Sequence, residues 1–514
     1  MSSPLINRRG LLAAAAPLAL GLAACRTGGA APAVASGPPK QGGELRVAFA
    51  GGGAQETLDP HRANLFLEGS RSKMIFEKLA DFGDDMAAVP RLAESWEASK
   101  DQTTWTVRLR AATFHDGRPV RAADVLYSYR RIIDPKLGFR AKTNLEMLDV
   151  TRSGAIDDRT VRLVLDRPYA EFPNSLAAFG AFIVPEGSDR FDAPVGSGPF
   201  AFDAWTPGSS LRLRAFDDYW EGRPYVDQLE YLITNEESAR INALIGGQVQ
   251  YAHDVTAATA KSFANRDAIT FTRLPNSGMN GFALKVDRPP FDRPGARQAL
   301  FALVDRQELI DAALGGAGTI GNDLYGRGYQ YYADDIPQRT PDADRARSLI
   351  ISSGLADAEL VIDTADVGTG LVASANVFAD QLRAYGLRAS VRNREAGTYW
   401  ADILDQGTIC AYRSGGMPIE SHISQRLLTT SSTNATHWRD EAFDARYTEA
   451  ISSADPARRA ELYRDLQTTL HDRGGFLIWG FADWIVASSR NLAGIAIAPA
   501  NSLNWARFDR VWLG

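Results

Sequence analysis

The sequence predicts an α/β protein of more than one lobe, on three observations. Strand-like and helix-like segments alternate along the chain, the pattern of layered α/β folds. Leu360–Ala365, Leu371–Tyr385 and Arg388–Asn393 read as strand, helix and strand, one complete βαβ unit. At 514 residues, with 45% hydrophobic and 23% charged residues, the chain is ordinary globular material too long for a single lobe.

The chain opens on an address. Arg8 and Arg9 precede Gly10-Leu11-Leu12 and an apolar, Ala-rich run to Ala24. A bilayer span needs about 20 apolar residues, so this shorter run over 1–24 has the form of a signal peptide. Asn7 to Leu12 resembles a twin-arginine signal, and an ordinary Sec signal with two basic residues explains the same positions. Leu22-Ala23-Ala24-Cys25 resembles a lipobox, which makes Cys25 the lipidated N-terminus and the membrane anchor. Residues 25–41 continue as a flexible tether rich in Ala, Gly, Pro and Ser. With Cys25 carrying lipid, Cys410 stands alone, so the body is held by its core and not by disulfides. Net charge is −6, and loss of Arg8 and Arg9 with the leader makes it −8. There is no basic run, so nucleic acid is not an expected partner.

The elements follow in order. Trp105 to Arg110 alternates like a strand, Asp116-Gly117 is a tight turn, and Val120 to Ile132 has helical spacing with Asp124 early in it. Glu236–Gly246 reads as a helix behind an Asn235 cap. Arg297–Leu314 reads as one long helix ended by Gly315-Gly316. Asp342–Ser353 is another, behind Thr340-Pro341 and ended by Gly354. Gly316 to Gly321 matches G-x-G-x-x-G, but it follows a helix where a dinucleotide fold needs a strand, so it reads as a helix cap and loop.

Several stretches carry a resemblance. Ala93-Glu94-Ser95-Trp96, the strand ending Leu109-Arg110, Phe114-His115-Asp116-Gly117 and Asp124-Val125-Leu126-Tyr127-Ser128 stand in one order. Leu58-Asp59-Pro60-His61 precedes them. Gly196-Ser197-Gly198-Pro199-Phe200, Asp218-Tyr219-Trp220, Pro289-Pro290-Phe291-Asp292, Arg297-Gln298-Ala299-Leu300 and Asp305-Arg306 follow. The series resembles the extracytoplasmic solute-binding proteins of family 5, the oligopeptide/dipeptide type of ABC importers. The resemblance implies the two-lobed, type II periplasmic-binding-protein (Venus-flytrap) architecture with an extra inserted domain. It implies lobe I from 42–77, 187–275 and 483–514, an inserted domain at 78–186, lobe II at 276–482, and a hinge where the chain crosses near 275 and 482.

The resemblance also implies where ligand sits. Arg413 falls where oligopeptide binders have an Arg. The Asp that pairs with a ligand's ammonium in peptide binders is replaced by Met417-Pro418-Ile419-Glu420, with Glu420 as the nearest acid. The Arg that holds a dipeptide carboxylate just before helix 371–385 is absent from Asp366 to Gly370. Asn64, Phe66, Phe139, Asn276, Met279, Asn280 and Trp479 are further cleft candidates by the same matching. Arg413 and Glu420 are expected to form the polar grip.

The expected function is capture of a peptide or peptide-like solute for an ABC permease and its ATPase, by a monomeric periplasmic lipoprotein. A receptor of the same architecture for an oligosaccharide, an opine-like conjugate or a metal chelate is the second reading. A secreted hydrolase is the third. It lacks G-x-S-x-G, a P-loop, a zinc signature and an acid/base pair that stands out. A regulator's sensor domain would need a DNA-binding N-terminus, where a leader stands. The six histidines are scattered at no ligand spacing, so neither metal nor cofactor is expected.

Overall fold

A computed structural model describes residues 37–51 and 56–514. Cys25, the signal segment and most of the tether lie outside the described residues.

The βαβ unit forms as its periodicity predicts. Glu359–Thr364 pairs in parallel with Arg388–Asn393 across the helix Leu371–Ala384, and Ile409–Gly415 joins the other edge in parallel. These strands belong to an 11-stranded sheet. At its far end Glu44–Phe49 lies parallel to Gln228–Ile233 and Tyr251–Ala252. Two long antiparallel strands, Ile269–Leu284 and Phe476–Ser489, join the halves. Their register breaks between the pairs Leu274↔Trp484 and Gly278↔Ala482, where Asn276 adopts φ 59°. A bulge of this kind bends the strand and re-aims what it carries.

A separate four-stranded antiparallel sheet, with Ala93–Ala98, Thr104–Leu109, Thr160–Val164 and Gly154–Asp157 in that order, packs against the helix Ala122–Ile133. Its core is continuous with apolar residues of 279–481. A second core gathers residues from 45–76, 182–251 and 486–511.

The quoted motifs turn out to be clips between distant segments. Arg131, on the helix Ala122–Ile133, donates to both Asp59 oxygens at 3.0 and 2.6 Å and to His61 Nδ1 at 2.6 Å. His61 Nε2 in turn donates to the Phe182 carbonyl at 2.8 Å. His115 Nδ1 accepts from the Gly196 N–H at 3.2 Å, and its Nε2 donates to the Gly198 carbonyl at 3.0 Å. Asp124 accepts from the backbone of Arg121 and of Glu186, both at 2.8 Å, capping its helix and holding the chain beyond it. These bonds fasten residues 59–61 and 196–198 to the 78–186 segment.

Three local expectations are corrected. The segment 297–314 is two helices, Pro294–Leu303 and Arg306–Leu314. Val304 is extended, and the Asp305 carboxylate accepts from the N–H groups of Gln307 and Glu308. Asp caps a new helix better than it continues an old one, so hydrophobic spacing alone runs the two together. Before the helix Glu237–Ile245 the cap position is Glu236, and Asn235 Oδ1 accepts instead from Gly51 N–H at 2.9 Å. Within 316–321, Gly318–Ile320 is a short strand paired with Gly480–Ala482 and not plain loop. The Gly315 cap (φ 58°) and the left-handed Gly354 form as expected, and Asp342, read as the first helical residue, is instead the cap of Ala343–Ser353, accepting from Arg345 N–H at 3.0 Å.

Candidate functional site

One wall is built around the start of the helix Phe66–Ile75. Glu68 accepts from the N–H groups of Asn64 at 2.7 Å and Leu65 at 3.1 Å, which fixes the turn. Leu65 and Phe66 are left 39% and 36% exposed, uncommon for large apolar side chains here. The Phe66 ring meets Trp484 at 4.8 Å, Trp505 at 5.4 Å and His253 at 6.4 Å. The indole nitrogens of Trp484 and Trp505 and Nε2 of His253 are buried with no hydrogen-bond partner among the described residues. Buried polar groups are normally paired, so this aromatic wall holds unused polar atoms. Asp254 follows, in a left-handed conformation (φ 55°), with its backbone carbonyl held by Arg240 at 2.9 Å. Its carboxylate makes no hydrogen bond or ion pair among the described residues.

Arg413 lies on the other wall, in Ile409–Gly415, paired in the ladder with Asn280. Its guanidinium rests on Gly368, where a Cβ would come within 2.5 Å of Nη1. It makes no ion pair or side-chain hydrogen bond among the described residues. Burial lowers its pKa, and the charge of Asp254 opposes that shift. Asp254 shows the reverse: burial raises its pKa, and Arg413 is the first charge to pull it back. Asp254 is exposed and Arg413 half-buried, and each charge acts on the other without the two closing into an ion pair.

The remaining predicted residues separate. Asn64, with its amide on the Arg62 carbonyl at 3.0 Å, and Phe66 lie on the wall. Asn276 sits at the register break, with its side-chain oxygen buried and without a partner among the described residues. Asn280 is buried and donates to the Gly278 carbonyl at 3.3 Å. Phe139, Met279 and Trp479 are corrections, because all three are core residues. Phe139 is clasped by Arg131 at 4.7 Å and Arg62 at 5.4 Å, and Met279 and Trp479 are each 1% exposed. Glu420 is corrected too. It is enclosed, accepting from the Tyr447 hydroxyl at 2.5 Å and from Ser421 at 3.0 Å, and burial raises its pKa. Its charge is spent on packing the 78–186 segment through Tyr169, and it does not join Arg413.

Sequence reasoning missed Asp254, Trp484 and Trp505. Nothing local marks them, because Phe66, His253, Trp484 and Trp505 meet only in the folded chain.

A two-part α/β body whose halves share two long crossing strands is the architecture of a solute-binding protein of the two-lobed type. The profile of the bacterial extracellular solute-binding proteins, family 5 (middle region), matches residues 87–437, and the chain belongs to this family of ABC-importer binding proteins. It is 25% identical over 472 residues to the glutathione-binding protein GsiB of Pectobacterium atrosepticum, covering 86% of this chain and 90% of that one. It is 26% identical over 505 residues to di/tripeptide-binding protein 2 of Pseudomonas aeruginosa, covering 88% and 93%. The crystal structure of the ABC transporter substrate-binding protein CtaP of Listeria monocytogenes superposes with a TM-score of 0.82 at 23% identity, over 92% of this chain and 100% of that one. The likeness to CtaP bears on the fold alone.

Proposed function

We propose that the protein is the solute receptor of an ABC importer and that its solute is a short peptide. It captures the peptide between lobe I (42–77, 187–275, 483–514) and lobe II (276–482), with 78–186 inserted, and hands it to the permease and its ATPase. The observation that carries this reading is the Arg413 guanidinium, which lies against Gly368 and has no ion pair or side-chain hydrogen bond among the described residues, with the Asp254 carboxylate, also without a partner among them, near enough to act on it. A peptide offers both a carbonyl or carboxylate for the first and an ammonium for the second. The relatives named for glutathione and for di- and tripeptides support the same class. The register break at 274–278 against 482–484 supports a hinge at the two crossings. The role is binding without turnover.

Titrating a set of di- and tripeptides, glutathione included, tests the reading. At least one should bind, shrink the radius of gyration in X-ray scattering and raise the melting temperature by the stabilisation RT ln(1 + [L]/Kd). Arg413→Ala should weaken that binding by about 2–5 kcal/mol, roughly 30-fold or more, with the fold intact. Silence across the whole set, or hydrolysis of the bound peptide, would refute the proposal.

Export and anchoring through a lipidated Cys25 belong to the same proposal, supported by Leu22-Ala23-Ala24-Cys25 and the tether. Cys25→Ser is expected to move the protein from the membrane to the soluble fraction or to leave it unprocessed. The same membrane partition and the same N-terminal mass in the variant would refute the anchor.

A further inference from the structure

The segment 78–186 continues at its two ends into 42–77 and 187–275. The bonds of Arg131, His61 and His115 fasten it to that side. It also presses on the 276–482 segment, which the chain reaches only after passing through 187–275. A hinge at the crossings near 275 and 482 therefore carries the two faces of this second contact apart, and whatever holds the contact holds the lobes together.

A buried ion pair spans it. Glu171 caps the helix Phe172–Ala177 and is 6% exposed. Its Oε1 pairs with Arg459 Nε at 2.7 Å and accepts from the Tyr331 hydroxyl at 2.9 Å. Arg459 lies on the helix Pro456–Arg473, and Tyr331 lies in the turn at 329–332. Within its own segment Glu171 accepts from the Asn174 amide at 3.1 Å. A carboxylate out of water depends on its cation, so Glu171 is satisfied on this contact or, with the contact parted, by water. One backbone N–H crosses from each face. Ala170 donates to the Ile451 carbonyl at 2.5 Å, and Gln330 donates to the Asp85 carbonyl at 2.7 Å.

Each face also brings a residue in an unusual conformation. Met86 and Tyr331 have φ of 59° and 68°, a left-handed region in which large side chains are outliers. Met86 stands in the turn between the strands Ala80–Phe82 and Ala88–Pro90, and its methyl end reaches Gly416, where a Cβ would be 2.9 Å away. The Tyr331 ring stacks on Tyr463 at 4.6 Å, and the Gln467 amide donates to the Tyr331 carbonyl at 2.6 Å. Such conformations persist where their surroundings fix them, and they gather in elements that switch.

We propose that Glu171, Arg459 and Tyr331 form a closure latch, which holds the 276–482 segment against the inserted segment and sets how readily the receptor opens. None of the three is a cleft candidate, so the latch acts on opening and not on solute contact. The inference rests on the hinge and not on the chemistry of the solute.

Hydrogen exchange and X-ray scattering on the solute-free protein test it, with the Ala170 and Gln330 amides as reporters from the two faces. Glu171→Gln and Arg459→Gln should each speed exchange at both amides at least about tenfold and enlarge the radius of gyration. The double variant should go little further, because the pair acts as a unit. Tyr331→Phe keeps the ring stack and removes one donor, and it should speed both amides about threefold or more. The strand Thr104–Leu109, inside the inserted segment, should keep its native rates throughout. Native rates at either amide in Tyr331→Phe and in every glutamine variant that folds overturn the latch and leave the solute reading standing. So does exchange that rises equally through Thr104–Leu109, which would mean a loosened fold. Faster amides with an unchanged radius would mean that the contact parts without opening the lobes, and this too overturns the latch.

Discussion

Acidification from pH 6.5 to about 4 is expected to unfold the protein, and four buried histidines are a principal cause. His61 and His115 are held down to a pKa of about 4, and His253 and His422 to about 3, from 6.5. Burial is the main cause at each, because imidazolium loses its hydration there. Nearby arginines add to the shift: Arg131 at His61, Arg214 at His115, Arg240 at His253 and Arg426 at His422. The unfolded chain takes up these protons near pH 6.5 and the folded chain does not. Stability is therefore fully present above 6.5 and is lost as pH falls toward the folded values. By pH 4 each histidine costs about 3 kcal/mol. Together they match a typical whole stability of about 5–15 kcal/mol.

Carboxyls raised by burial, such as Asp124, Asp254, Glu420 and Asp483, act in the opposite sense and offset part of the loss. A single substitution isolates the histidine contribution. The His422 ring stacks on Tyr325 at 3.9 Å and its Nδ1 has no partner, so His422→Phe keeps the stack and removes the titration. Denaturant curves across pH should then lose about 1.4 kcal/mol per pH unit of slope between pH 6 and 4. An unchanged slope would mean that the ring is already protonated in the fold.

The second large effect belongs to Gly196. A Cβ there would stand 1.9 Å from the Ile75 carbonyl oxygen and 2.7 Å from its carbon, and one on Gly198 would stand 2.6 Å from the Met74 oxygen. Both obstacles are backbone at the end of the helix Phe66–Ile75, so no rotamer change relieves them. Gly196→Ala must push the two chains apart, breaking the Gly198 N–H bond to Ile75 at 2.9 Å and both bonds of the His115 clip. A cost above about 4 kcal/mol is expected, seen as insoluble protein or a large drop in denaturant midpoint. Gly154→Ala is the control. A Cβ there meets nothing within 4 Å, and its stability should stay within about 0.5 kcal/mol. Equal stability of the two variants would remove the close approach as the reason for a glycine at 196.

The same residues show how much was legible beforehand. Phe114-His115-Asp116-Gly117 and Gly196-Ser197-Gly198 could be recognised as wording, and their presence in order pointed to the family. What they do was hidden, because a histidine bridging an N–H and a carbonyl some 80 residues away has no local signature. Glu420 shows the mirror case. The resemblance made it the nearest acid to the position of the ammonium-binding Asp, but the helix Ile419–Arg426 turns its carboxylate inward to Tyr447.

What the sequence determined alone is what short-range physics controls. The βαβ unit at 359–393 follows from hydrophobic period, and the helix Ala343–Ser353 from the Thr340-Pro341 before it and Gly354 after it. The family followed from ordered motifs. Tertiary structure decided which side chains meet. Asp254 and Arg413 lie far apart in the chain, in a bend and a strand. Their charges act on each other only in the folded chain, because the long-range pairing of strands, which no local sequence pattern encodes, brings the bend at 254 and the strand Ile409–Gly415 into one body.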